Sequence, residues 1–257
     1  GNLKSRSKVT QKANFIQVYF KTKTKNTTFE IYDISKKKKK TGVVSVTFDD
    51  GYITNLKAAK ISKKYGVKGT AYIMPRQIGQ DGYIDIDGAI SMMQQYDWDL
   101  QYHHAIPITE MSKSKFDEEM RYAKEFFHEK LGLKNLSTHF AYPLGKWKKN
   151  SLSWVTQSFD TARVASGGIE TLPPVDQKRI RTFNVLNTTT IDELKVLIDK
   201  AKKSKQWLVL MFHYLDNEKD SALNYESENY EAVMKLIKDS KIKNMTINEV
   251  YNTYLKE

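Results

Sequence analysis

The 257-residue chain contains no cysteine. Disulfides, thiolate zinc sites and cysteine nucleophiles are therefore excluded. Any bound metal must be held by His, Asp or Glu. The lack of cysteine leaves the compartment open. No apolar run approaches the roughly 18 residues that suggest a membrane-spanning helix. No internal repeat is present. What the chain does have is enough apolar material for a sizeable core, at 40% hydrophobic and 12% aromatic residues with 28% charged. A disordered chain and a collagen-like repeat are thereby ruled out. The length suits one domain of ordinary enzyme size with a small extension.

The net charge is +12, and it is uneven. Residues 1–40 hold 12 basic and 2 acidic side chains, whereas the remainder holds 30 and 28. The basic character thus sits in an N-terminal stretch that includes Lys21, Lys23, Lys25 and the run from Lys36 to Lys40. One reading is attraction to an anionic surface such as phospholipid or wall polymer. The other is a solvated connector. Nucleic acid is disfavoured, because no aromatic and basic stripe continues into the body. The chain opens on Gly1 rather than Met, as expected if a signal peptide or anchor has been removed.

The first 42 residues read as a basic extension, with two strands at 15–20 and 28–32 in a hairpin. From Val43 onward the pattern is that of a second, larger domain. Strands are expected at 43–48, 69–74, 100–103, 138–142, 161–165, 180–184, 207–213 and 245–247. Helices are expected at 55–65, 86–96, 112–131, 150–158, 191–203 and 225–239. Ser112 is the expected N-cap of the third helix, and Gly132 ends it. Strands alternating with helices predict an α/β fold, either a barrel or a doubly wound sheet.

Polar residues just past the ends of such strands are the candidates for chemistry. Four clusters fit: Asp49 with Asp50, His103 with His104, the turn 142–145, and His213. Adjacent residues leaving a strand point in different directions, so one carboxylate of the Asp pair can hold a metal while the other faces substrate. An ordinary strand-to-loop turn is the competing reading. Imidazoles at 103 and 104 suit zinc and similar ions. His213 ends an apolar strand, where a titratable ring is costly unless satisfied or used. His128 reads as solvated and His139 as structural.

Thr47-Phe48-Asp49-Asp50-Gly51 resembles the first motif of the polysaccharide deacetylase family with the NodB homology domain. Later pieces follow in the family's order. Phe140-Ala141-Tyr142-Pro143-Leu144-Gly145 resembles the third motif, Asp160-Thr161-Ala162-Arg163 the following strand, and the apolar strand ending in His213 the last motif. The segment from Thr246 to Tyr251 resembles the usual ending. The resemblance covers about residues 43–254. It implies a distorted (β/α)7-type barrel and metal-dependent hydrolysis of N-acetyl groups on an amino-sugar polymer. It further implies Asp49 as general base, Asp50 as metal ligand and His213 as general acid. Arg163 would keep Asp49 ionised, and the backbone N–H near Leu144 would hold the oxyanion. The metal would be zinc, with cobalt or nickel as alternatives. Tyr142, Pro143 and Gly145 of the third motif, with Tyr102 and Trp147 beside the motifs, are candidate substrate contacts; core or rim packing is the competing reading for these aromatics.

The second motif departs from the family. It is normally His, Ser or Thr, two residues, then His, which turns two imidazoles toward one ion. Here it reads His103-His104-Ala105-Ile106-Pro107, and proline cannot coordinate through its side chain. His104 becomes the second imidazole ligand only if the backbone is irregular, which Pro107 favours. The expectation is a carbohydrate N-deacetylase, extracellular or attached to the cell envelope. Two alternatives stand beside it: a glycan-binding module without turnover, and a deacylase of a small C–N substrate.

Overall fold

The computed structural model describes residues 41–133, 138–216 and 221–256. Contacts divide the chain between Lys38 and Lys39, and every described residue lies in the second part. The expected hairpin at 15–20 and 28–32 lies outside the described residues.

Seven parallel strands form the centre: β1 Val43–Phe48, β2 Gly69–Ile73, β3 Asp99–Tyr102, β4 His139–Ala141, β5 Thr161–Gly167, β6 Ile180–Asn184 and β7 Trp207–Phe212. Each pairs with the next, and β7 returns to pair with β1 along its whole length, so the sheet closes into a barrel. Helices α1 Thr54–Lys64, α2 Ile86–Gln94, α3 Lys113–Glu125, α4 Lys149–Ser158, α5 Ile191–Ser204 and α6 Ser227–Ser240 lie in the connections. No helix joins β5 to β6, and their register shifts between Arg163 and Gly167. That gap is the distortion of the barrel.

The strands are buried on both faces, as parallel strands must be. Alternate residues point inward. Val43, Tyr72, Ala141, Ile180, Trp207 and Val209 form the inner core. Val44, Val46, Phe48, Leu208, Leu210 and Phe212 face the helices in the outer core. Inside, the Trp207 indole donates to Ser45 Oγ at 2.9 Å, so its polar atom is satisfied.

Helix ends follow the expected chemistry. Ser112 Oγ accepts from the Lys115 N–H at 3.2 Å, and α3 widens into a π-helical turn, Phe126–Lys130. Two expectations are corrected. The residues read as a last strand, 245–247, instead contain a helix start: Thr246 caps α7 Ile247–Val250, accepting from the Glu249 N–H at 3.2 Å, while Glu249 accepts from the Thr246 N–H at 3.0 Å. This is a reciprocal capping box. The strand there is the short β10 Lys243–Asn244, after the pair β8 Tyr214–Leu215 and β9 Asn224–Tyr225. The helix read as 225–239 begins at Ser227, because Tyr225 belongs to β9.

Candidate active site

Inward alternation along β1 continues from Val43, Ser45 and Thr47 to Asp49. The same count brings His103 past β3, Asn184 to the end of β6 and His213 past β7. These four side chains are therefore carried to one end of the barrel, where the strands' carboxyl ends lie.

Asp49 is almost wholly buried. Its Oδ1 accepts from Arg163 Nη2. Arg163 reaches up from β5, stacked over the Tyr72 ring at 4.4 Å, with Nη1 against Met211 Sδ at 3.0 Å. Burial pulls the guanidinium down to about 9, and the adjacent carboxylate is what makes the buried cation tolerable.

Asp50 follows in the left-handed region, at φ 71°. A non-glycine residue held there costs roughly 1 kcal/mol, and such outliers collect at functional sites. The twist turns its carboxylate to His103, with Oδ1 3.2 Å from Nε2. Burial pushes Asp50 up, but His103, then His213 and Tyr52, outweigh it and hold the carboxyl below the usual range. His103 Nδ1 lies 2.8 Å from the Ala141 carbonyl. A carbonyl only accepts, so Nδ1 carries the hydrogen. In the neutral ring Nε2 then offers a lone pair to a carboxylate, and two acceptors face each other. A cation shared between them resolves that clash, and an imidazole whose other nitrogen donates to a carbonyl is the usual form of a metal-bound histidine. One imidazole and one carboxylate fit a divalent ion as part of its shell. Among the described residues no group of three such ligands is gathered.

His104 is not the missing ligand. The backbone after it is irregular, as Pro107 leads one to expect, but the turn swings the ring away. Its Nδ1 accepts from the Ile106 N–H at 2.9 Å, and its Nε2 lies 3.5 Å from Glu119 Oε2 on α3. Glu119 is in turn bound by Arg76 and Lys115.

His213 stands with Nδ1 buried and without a hydrogen-bond partner. Burial pulls its pKa down to about 4, against the Asp50 charge and with those of Arg163 and His103. Asn184 also has a buried carbonyl oxygen without a partner. Sequence reasoning passed it over, although a polar residue ending a strand in phase with the functional ones is a readable signal.

In the third motif, Leu144 sits at φ 55° in the tight turn Pro143–Gly145, with an exposed side chain. Gly145 is required there, since a Cβ would come within 2.8 Å of the Ala165 nitrogen. Tyr142 and Pro143 are buried. Trp147 is exposed, with the Arg179 guanidinium over its ring at 4.3 Å. Tyr102 stacks on Phe140 and Phe159 in the outer core, so its ring is packing material first. His139 is buried against Thr161 Oγ1 at 2.9 Å, far down the barrel.

A closed seven-stranded parallel barrel with a carboxylate and imidazole centre at its carboxyl end is a (β/α)7-type scaffold. Residues 36–159, just under half of the chain, match the family model described as polysaccharide deacetylase. The match and the fold support a hydrolase of the carbohydrate deacetylase kind. Solved structures share the fold. The Xyl-CE4 domain of a multidomain xylanase from the hindgut metagenome of Trinervitermes trinervoides matches at 15% identity and TM-score 0.57, over 83% of this chain and 91% of that one. A family 4 acetyl xylan esterase from Clostridium thermocellum, in complex with a cobalt ion, matches at 15% identity and TM-score 0.56, over 82% and 90%. A peptidoglycan deacetylase from Bacillus subtilis matches at 12% identity and TM-score 0.55, over 84% and 92%. No curated protein matches the sequence.

Proposed function

We propose that the protein removes N-acetyl groups from an N-acetylhexosamine polymer of a cell surface or biofilm. The observation that carries this is the buried Asp49–Arg163 pair set beside Asp50–His103, with His213 at the same end of the barrel. Asp50 and His103 would hold a divalent ion, zinc or in its place cobalt or nickel. Such an ion, when bound, lowers the pKa of water and polarises a carbonyl.

The chain's own groups do the rest. Asp49, ion-paired with Arg163, takes the proton of the attacking water. The turn at Leu144 offers backbone N–H to the charge growing on the acetyl oxygen. His213 is neutral above about pH 4 in the resting site. The nearby oxyanion favours its charged form, so the ring takes up a proton from solvent and hands it to the leaving amine, while Asp49 returns the proton it took from water to solvent. Trp147 offers a ring face to the sugar.

Acetate release from N-acetylglucosamine oligomers, with zinc, cobalt or nickel added, tests this. Asp49→Asn is expected to keep glycan binding and to lose roughly 10²–10⁴-fold in turnover. The missing third ligand favours a second reading, a glycan-binding module without turnover. Binding insensitive to chelator and to Asp49→Asn, with no acetate released, would establish that instead. We place the protein outside the cell or at its envelope, with the basic stretch before Gly42 drawn to an anionic wall or membrane. Cell fractionation and sedimentation with anionic vesicles test those two points.

A further inference from the structure

A cavity of about 520 Å³ opens between the loops after β2 and β3 and helix α3. It shares His103 with the site just described. Its wall is mostly apolar: Met74, Pro75, Tyr102, Ile106, Met111 and Tyr122. Its charged members cancel, Arg76 and Lys115 against Glu110 and Glu119. Glu119 is closed off from solvent and is bound by Arg76 Nε at 2.8 Å and Lys115 Nζ at 3.0 Å, with His104 on the same carboxylate. The Arg76 guanidinium lies flat on Tyr122, 4.1 Å from the ring centre.

The altered second motif builds this chamber. The turn that carries His104 away from Asp50 places it in the chamber wall, and the stretch from Ala105 to Pro107 leaves Ile106 at the rim. The space is within the range of small-ligand pockets, about 300–1,000 Å³, and far larger than an acetyl methyl needs. A neutral, apolar chamber touching the histidine beside which an amide is cleaved suits the hydrocarbon part of an acyl group.

We propose that the chamber receives the acyl chain of the substrate, so that N-acyl amino sugars with chains longer than acetyl are accepted and preferred. This rests on the amidohydrolase reading above. The reaction is unchanged in balance: water adds to the acyl carbon, the C–N bond breaks, and a carboxylic acid and an amine leave. Each methylene taken from water into an apolar wall is worth about a fourfold gain in kcat/KM.

Two measurements test it. In the first, kcat/KM is compared for N-acetyl-, N-butyryl- and N-hexanoylglucosamine oligomers. The expected result is a rise with chain length. Ile106→Trp, which fills the rim at a half-exposed position, is expected to lower the hexanoyl-to-acetyl ratio at least tenfold. Acetyl cleavage with hexanoyl slower, or a ratio untouched by Ile106→Trp, overturns the proposal and leaves the deacetylase reading standing. In the second, hexanoate is titrated into protein labelled at methionine methyls. Saturable shifts at Met74 and Met111 support the chamber even if no amide is cleaved, in which case it is the deacetylase reading that fails. No shift at either methyl overturns the chamber.

Discussion

Asp49 and Arg163 are each nearly closed to solvent, so neither charge can be removed without leaving the other stranded. Loss of one member of a buried pair costs about 3–5 kcal/mol. Arg163→Met should therefore lower the urea midpoint markedly. Asp49→Asn leaves the guanidinium an oxygen to donate to but no counter-charge, so it should also lower the midpoint, and beyond that it should lose turnover. Asp50→Ala should leave the fold intact, relieve no packing, and abolish metal retained after dialysis. The places of Asp49, Asp50, His103 and His213 were legible because each lies within two residues of a strand's carboxyl end. His104 misled for a physical reason. Sequence reveals that the chain near Pro107 is irregular, but not which way the irregular turn throws a ring, and here the Ile106 N–H decides it. Asn184 went unread because a lone asparagine carries no motif.

At the scale of elements, the alternation of apolar strands and amphipathic helices was enough for an α/β fold, and the resemblance chose the barrel over the doubly wound sheet. The exception was the segment from Met245 to Ile247. A β-branched pair suggested a strand, while the Thr-x-x-Glu box starting at Thr246 marked a helix start that outweighs that propensity. Thr246→Val should cost about 1 kcal/mol, read from chemical unfolding. Two helices end on lysines in the left-handed region, Lys205 after α5 at φ 53° and Lys241 after α6 at φ 55°. Both are exposed. Glycine relieves the strain of a side chain there, so Lys205→Gly and Lys241→Gly should each stabilise by about 0.5–1 kcal/mol.

For the molecule as a whole, two buried groups near α7 set opposing responses to pH. Burial lifts Asp99 from 3.8 to about 6, against the bonds it accepts from Thr70, Asn248 and neighbours. Its folded form keeps a proton that the unfolded chain gives up, so its contribution falls as pH rises from about 4 to about 6. Burial lowers His139 from 6.5 to about 4. Its folded form refuses a proton that the unfolded chain accepts, so its contribution grows across nearly the same window. The two slopes offset each other in the parent. Asp99→Asn removes the first, and stability of that variant should rise more steeply than the parent's between pH 4.5 and 6.5 in denaturant midpoints.

The barrel closes by joining its first strand to its seventh, and the Thr47 hydroxyl that bridges them reaches a carbonyl 163 positions away. During synthesis at 5–20 residues per second, that partner emerges roughly ten to thirty seconds after Thr47 itself. Throughout that interval β1 has an open edge, and unpaired edges are where chains recruit one another. The nascent protein is therefore most vulnerable to aggregation before its seventh strand leaves the ribosome, and a chain stopped short of Phe212 should be a substrate for chaperones rather than a smaller folded domain.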